Sequence, residues 1–255
     1  MTLGPCCAGV RALSSALSLF ALAACHPIAN DTEAALTASG ELVALSGGGA
    51  GARNACFSCH GLDGLGDGDS VPRLAGMEVG YLQKQMEDYA RALRHDAVMS
   101  PIARRLSEGD RRAVVAWYAA MPAPAGAAGA AGIGTPAPIL FAQGDPARGV
   151  VACAACHGDE GQGAGPGNPA LAGQPAAYTL EQLTRWKRAG RRNDPRGVMT
   201  AAVAPLTDEE MRRIAVWLQT RSSSRPPDSG GASASVSATA AAEPAASRGI
   251  HHPDR

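Results

Sequence analysis

The sequence predicts an all-α chain made of two small helical domains in tandem. Three observations carry that expectation. The segment Cys-x-x-Cys-His-Gly occurs at residues 56–61 and again at 153–158, and the residues around it match at a fixed offset of 97. Apolar residues recur at helical spacing and nowhere alternate as they would along a strand. Residues 122–138 are almost wholly Ala, Gly and Pro with no apolar period, and read as a linker between the copies.

The first element is an export signal over residues 1–24. Arg11 precedes an uncharged stretch, residues 12–24, that suits a signal core and is too short to span a bilayer. Two processing patterns compete. Ala21-Leu22-Ala23 has the form of an ordinary cleavage site, and Leu22-Ala23-Ala24-Cys25 resembles a bacterial lipoprotein signal whose Cys carries lipid. Cysteine arithmetic favours the second. Cys6 and Cys7 leave with the signal, the motifs use Cys56, Cys59, Cys153 and Cys156, and Cys25 is left over. The chain is expected on the periplasmic side of a bacterial membrane, lipid-anchored through Cys25, or otherwise in the soluble periplasm. Residues 25–40 then form a tether.

Domain 1 is expected over 41–121, the linker over 122–140 and domain 2 over 141–221. Residues 222–255, rich in Ser, Ala, Gly and Pro, cannot bury a core and read as a disordered tail. The linker is expected to make the domains separate folding units. At the offset of 97, Pro72-Arg73-Leu74-Ala75-Gly76 meets Pro169-Ala170-Leu171-Ala172-Gly173, Tyr81 meets Tyr178, Gln85 meets Gln182, and Tyr89 meets Trp186. Three residues are then inserted, so Met99 meets Met199 and Trp117 meets Trp217 at an offset of 100.

Leu82, Met86, Tyr89 and Leu93 form a helical stripe, as do Leu180, Leu183 and Trp186. Ser107 with Asp110, and Thr207 with Glu210, open the last helix of each domain. The second pair is a capping box, while the first has the shorter Asp. Val114, Trp117 and Tyr118, and Ile214, Trp217 and Leu218, are the expected buried faces. Gly-rich segments 61–68 and 158–167 are loops, serving either simple connection or close approach to a flat ligand.

Net charge is zero, which argues against a nucleic-acid partner. Only 4% of residues are aromatic, so domains of this size need a staple. Cys-x-x-Cys-His supplies one. Two cysteines three apart sit on one helical turn and can form two thioethers to one haem, with the following histidine under the iron. A thioredoxin-like pair would need a βαβ context, and four-cysteine zinc would join two repeats across a flexible linker. Neither these nor an intra-motif disulfide explains His60 and His157 at the same place twice.

Each half resembles a small class I c-type cytochrome, and the pair resembles the dihaem cytochrome c4 family. The paired CxxCHG motifs, the Pro-x-Leu-Ala-Gly segments and the stretches HDAVMSPIARRLSEGD and NDPRGVMTAAVAPLTDEE carry the resemblance. It implies two tandem small cytochrome c domains, each wrapped around one covalently attached haem c. Cys56, Cys59, Cys153 and Cys156 would hold the haems, with His60 and His157 on the irons. It also implies Met99 and Met199 as sixth ligands, with Met77 and His95 as rivals in domain 1. Arg94 with Asp96, and Arg191 or Arg192 with Asp194, match a polar patch of the family, either near haem propionates or an ordinary solvated face.

With both irons six-coordinate there is no place for a substrate. The implied function is an exported dihaem electron carrier between a respiratory or periplasmic donor and a terminal oxidase or reductase, rather than an enzyme. The alternatives are the cytochrome subunit of a larger dehydrogenase, such as a flavocytochrome sulfide dehydrogenase, and a dihaem peroxidase or thiosulfate dehydrogenase.

Overall fold

A computed structural model describes residues 39–123 and 136–222. The expected signal, lipid site and tail, and most of the tether and linker, lie outside the described residues. Both halves carry the same order of elements. Domain 1 has α1 (39–46), α2 (Phe57–His60), α3 (Val79–Ala90), α4 (Met99–Arg105) and α5 (Glu108–Ala120). Domain 2 has α6 (Ile139–Ala142), α7 (Ala154–His157), α8 (Ala176–Lys187), α9 (Val198–Val203) and α10 (Asp208–Gln219). Among the described residues there are no strands, only an isolated bridge between Asp145 and Val150. Ser39 and Gly40, read from sequence as tether, are helical. A side chain at Gly40 would strike the Ala113 carbonyl and Trp117, so α1 lies against α5.

The last helices start where their caps place them. The Ser107 side chain accepts from the Asp110 N–H, and Thr207 with Glu210 forms a full capping box. Their apolar faces are the core. Val114 and Tyr118 pack with Val43 and Leu106, while Ile214, Trp217 and Leu218 pack with Phe141, Val203 and Met211. The glycine loops close on these helices. Gly64 (φ 68) and Gly161 (φ 73) take left-handed backbone, and a Cβ there would meet Tyr118 or Leu218. At these two positions the close approach is to the domain's own last helix rather than to a ligand.

The two halves share a buried polar interface. Arg94 donates to Gln85 Oε1 of its own domain (2.9 Å), and across the boundary to Gln182 Oε1 (2.8 Å) and the Tyr178 hydroxyl (3.2 Å). Arg191 mirrors it, donating to Gln182 (2.9 Å) and, across, to Gln85 (3.0 Å) and weakly to Tyr81 (3.5 Å). Both arginines are only 3–4% exposed, which removes the solvated-face reading for them. Arg192 alone of that set is exposed. Nearby, Gln174 Oε1 accepts from the Arg73 N–H and its Nε2 donates to the Arg73 carbonyl (3.1 and 3.0 Å). The Arg73 guanidinium reaches the Ala172 carbonyl (3.1 Å), and burial pushes its pKa down to about 10.

Gln174→Leu would leave the buried N–H and carbonyl of Arg73 without partners. Each such group costs about 1–3 kcal/mol, so the change should destabilise the holoprotein by about 2–4 kcal/mol. Calorimetry should also split one transition into two as the domains uncouple. A single, unshifted transition would show that this contact does not join them.

Candidate haem sites

Each motif folds as one helical turn. Cys56 is the N-cap of α2 and Cys153 of α7, and each turn is stopped by a glycine in a conformation open mainly to glycine: Gly61 (φ 80, ψ 156) and Gly158 (φ 81, ψ 156). The His60 and His157 N–H groups return to the Cys56 and Cys153 carbonyls at 2.9 Å. In both copies the first cysteine is half-buried, the second exposed and the histidine buried.

The chain then turns back over the histidine. The Gly64 carbonyl accepts from Leu74 and Ala75, and the Gly161 carbonyl from Leu171 and Ala172. This places the carbonyl of the repeated proline on the ring. His60 Nδ1 lies 3.0 Å from the Pro72 oxygen, and His157 Nδ1 lies 2.8 Å from the Pro169 oxygen. A carbonyl only accepts, so Nδ1 carries the hydrogen and Nε2 keeps its lone pair. Burial lowers the pKa of both rings, against the opposing pull of the proline carbonyls, and favours the neutral form a metal needs. The proline carbonyl was missed from sequence. The signal was present, since a proline follows each histidine by the same twelve residues.

Met99 opens α4 and Met199 is the second residue of α9, both partly buried. An aspartate holds each loop. Asp96 accepts from the Val98 and Met99 N–H groups (3.0 and 2.9 Å), and Asp194 accepts from the Thr200 N–H (2.9 Å) and hydroxyl (3.3 Å). Partial burial works to raise the Asp194 pKa, but the hydrogen bonds outweigh it and hold it below the usual range. Met199 packs on the domain 2 core. Met77 is buried among Leu82 and Val115 with its sulfur 3.4 Å from Gln174 Nε2, a packing role. His95 is exposed in an open groove with Arg104 and Arg185.

The residues fit a haem. Burial pushes the Cys56 thiol up to about 11 and raises Cys153 as well, the reverse of what a disulfide-exchange pair needs. Among the described residues no group of three or more His, Cys, Asp or Glu could share one metal ion, which leaves zinc without a site. Trp186 Nε1 and Arg94 Nε are buried donors with no acceptor among the described residues. A flat group bearing carboxylates supplies acceptors of the kind they lack.

Comparisons with known proteins agree. The family described as Cytochrome c matches residues 145–222, and that described as Cytochrome C oxidase, cbb3-type, subunit III matches 44–117. The chain is 38% identical to the thiosulfate dehydrogenase electron acceptor of Stutzerimonas stutzeri, over 72% of this chain and 86% of that one. It is 36% identical to cytochrome c4 of Thiocapsa roseopersicina, over 68% and 90%. Among solved structures, reduced cytochrome c4 from Pseudomonas stutzeri superposes with a TM-score of 0.61 at 27% identity, covering 72% of this chain and 97% of that one. The thiosulfate dehydrogenase TsdBA from Marichromatium purpuratum gives 0.61 at 38% identity, covering 73% of this chain but 40% of that longer one.

Replacing either methionine by histidine tests the sixth ligand. An imidazole in place of a thioether lowers an iron potential, so Met99→His and Met199→His should each lower one of two potentials and leave the other nearly unchanged. A titration in which Met99→His moves neither would return Met77 or His95 as the ligand.

Proposed function

The chain belongs to the cytochrome c4 family of dihaem c-type cytochromes, with one haem c per domain, and on that premise we propose that it takes electrons from a periplasmic dehydrogenase of reduced sulfur compounds. The haem supplies reversible one-electron chemistry at its iron. The protein's own residues do the rest. Cys56, Cys59, Cys153 and Cys156 attach the two groups. His60 and His157 bind through Nε2, each ring aimed by its proline carbonyl. Met99 and Met199 would supply a thioether ligand to each iron, from loops set by Asp96 and Asp194.

The observation that carries a carrier role is the equivalence of the two sites. Both domains offer a buried histidine and a methionine at matching places, so with both bound neither iron would keep a position for substrate. The donor is argued from likeness to the Stutzerimonas electron acceptor, which this chain matches over most of that protein's length. Electrons leaving toward a terminal oxidase or reductase complete the reading.

Export, and lipid on Cys25, belong to the same proposal. No described helix is long and apolar enough to cross a membrane, and a lipid at Cys25 would hold the protein near membrane partners. A diacyl anchor is much firmer than a single chain, because each buried methylene adds about 0.8 kcal/mol. The protein should sediment with membranes through salt washing and release in detergent, and Cys25→Ser should abolish this.

Mixing oxidised holoprotein with thiosulfate and a purified thiosulfate dehydrogenase should reduce both haems, followed at the α-band. Neither thiosulfate alone nor dehydrogenase alone should do so. Catalytic oxidation of thiosulfate by the protein on its own would make it an enzyme and overturn the carrier reading.

A further inference from the structure

Although the two domains repeat one plan, their surfaces do not. Domain 2 carries Arg188, Arg192 and Arg196 in the segment between α8 and α9, immediately before Met199. All three are exposed, and none has an ion-pair partner among the described residues. The one carboxylate in that segment, Asp194, accepts from the Thr200 N–H and hydroxyl inside the loop and forms no ion pair with them. Elsewhere five exposed arginines are neutralised, although Arg53, Arg104 and Arg105 of domain 1 have no ion-pair partner among the described residues. Arg112 pairs with Glu108, Arg148 with Glu210, and Arg212 and Arg213 with Glu209.

Domain 1 lacks this feature at the equivalent place. Arg91, the counterpart of Arg188, sits 3.7 Å from Glu87, and His95 replaces Arg192. Arg196 belongs to the three-residue insertion and has no counterpart. It is held in left-handed backbone (φ 57, ψ 15), a conformation that a side chain other than Gly, Asn or Asp rarely takes without cause. Beside it Val198 is 56% exposed. The motif face of domain 1 is of opposite character, with exposed Leu62 and Leu65 among Asp63, Asp67 and Asp69.

We infer that the Arg188–Arg192–Arg196 rim around the Met199 loop is a docking face for a redox protein whose own electron port is ringed by carboxylates, so that one specified partner exchanges electrons through domain 2. An apolar centre with a charged rim is the anatomy of a transient interface, and unpaired charge there speeds encounter more than it adds affinity. An anionic membrane is a weaker occupant, because it would press the loop nearest the proposed iron ligand against lipid and away from any electron partner. The inference rests on the carrier reading and on Met199 as the ligand that brings this loop to the iron.

The test uses reduced holoprotein oxidised by hexacyanoferrate(III) in stopped flow, with poly-L-glutamate as the acidic competitor. In wild type the fast phase should slow as sodium chloride rises, and poly-L-glutamate should inhibit it. Arg188→Glu, Arg192→Glu and Arg196→Glu together should slow it about tenfold at low salt and remove the inhibition. The same triple change to Lys should keep both effects, and to Gln should show the loss without adding negative charge. The cationic oxidant tris(1,10-phenanthroline)cobalt(III) should respond in the opposite sense. Equal rates and equal insensitivity to poly-L-glutamate in wild type and the Glu variant would overturn the inference. So would salt-sensitive binding to phosphatidylglycerol vesicles, lost in the Glu variant, with no effect of poly-L-glutamate. Haem spectra and reduction by the dehydrogenase at high salt are read on the same samples, and their loss would instead indict the carrier reading.

Discussion

One hydrogen bond, made twice, sets the chemistry of the molecule: from the imidazole Nδ1 of His60 to the Pro72 carbonyl, and from His157 to Pro169. A histidine following Cys-x-x-Cys is brought near an iron by the helical turn alone. The carbonyl fixes which nitrogen holds the hydrogen, which way the ring faces and how basic Nε2 is. Much of the surrounding fold can be read as serving that bond. Left-handed glycines let the loop fold back, Gly64 and Gly161 allow it to touch the last helix, and the last helix closes the core beneath it.

The second constraint is the contact between domains. Arg94 and Arg191 are buried cations whose hydrogen bonds end on amides and tyrosine hydroxyls, with no carboxylate among their acceptors. Two guanidiniums sharing Gln85 and Gln182 repel each other and lose hydration, so such an arrangement calls for nearby anions. Haem propionates are carboxylates of the right kind. The same residues that lock the halves together would then feel the charge on both cofactors, which joins structural coupling to redox function.

The fold class, the duplication and the caps were legible because their causes are local. A motif of six residues, a helical period and a Thr-x-x-Glu box all lie within one or two turns of chain. Arg94 and Arg191 were not legible, because their partners lie across a domain boundary, as far as 110 positions away in sequence. A lone chain of residues shows charges there, and charges are usually solvated. The proline carbonyl escaped for another reason: the proline twelve residues after each histidine is visible in the sequence, but a repeated side chain does not say where its backbone carbonyl points. The interface itself was not legible from the Ala/Gly/Pro linker, because linker composition says how freely two domains can meet, and nothing about whether their surfaces match.

The most direct measurement is the intact mass of the purified, acid-acetone-extracted protein, taken together with the near-infrared spectrum of its oxidised form. Two covalent haems with histidine below and methionine above should add two haem groups to the polypeptide mass. They should also give the sulfur-to-iron band at the strength of two such sites. A mass with one haem or none, or a band at half strength on a protein carrying two, would contradict two equivalent electron-transfer sites on this chain.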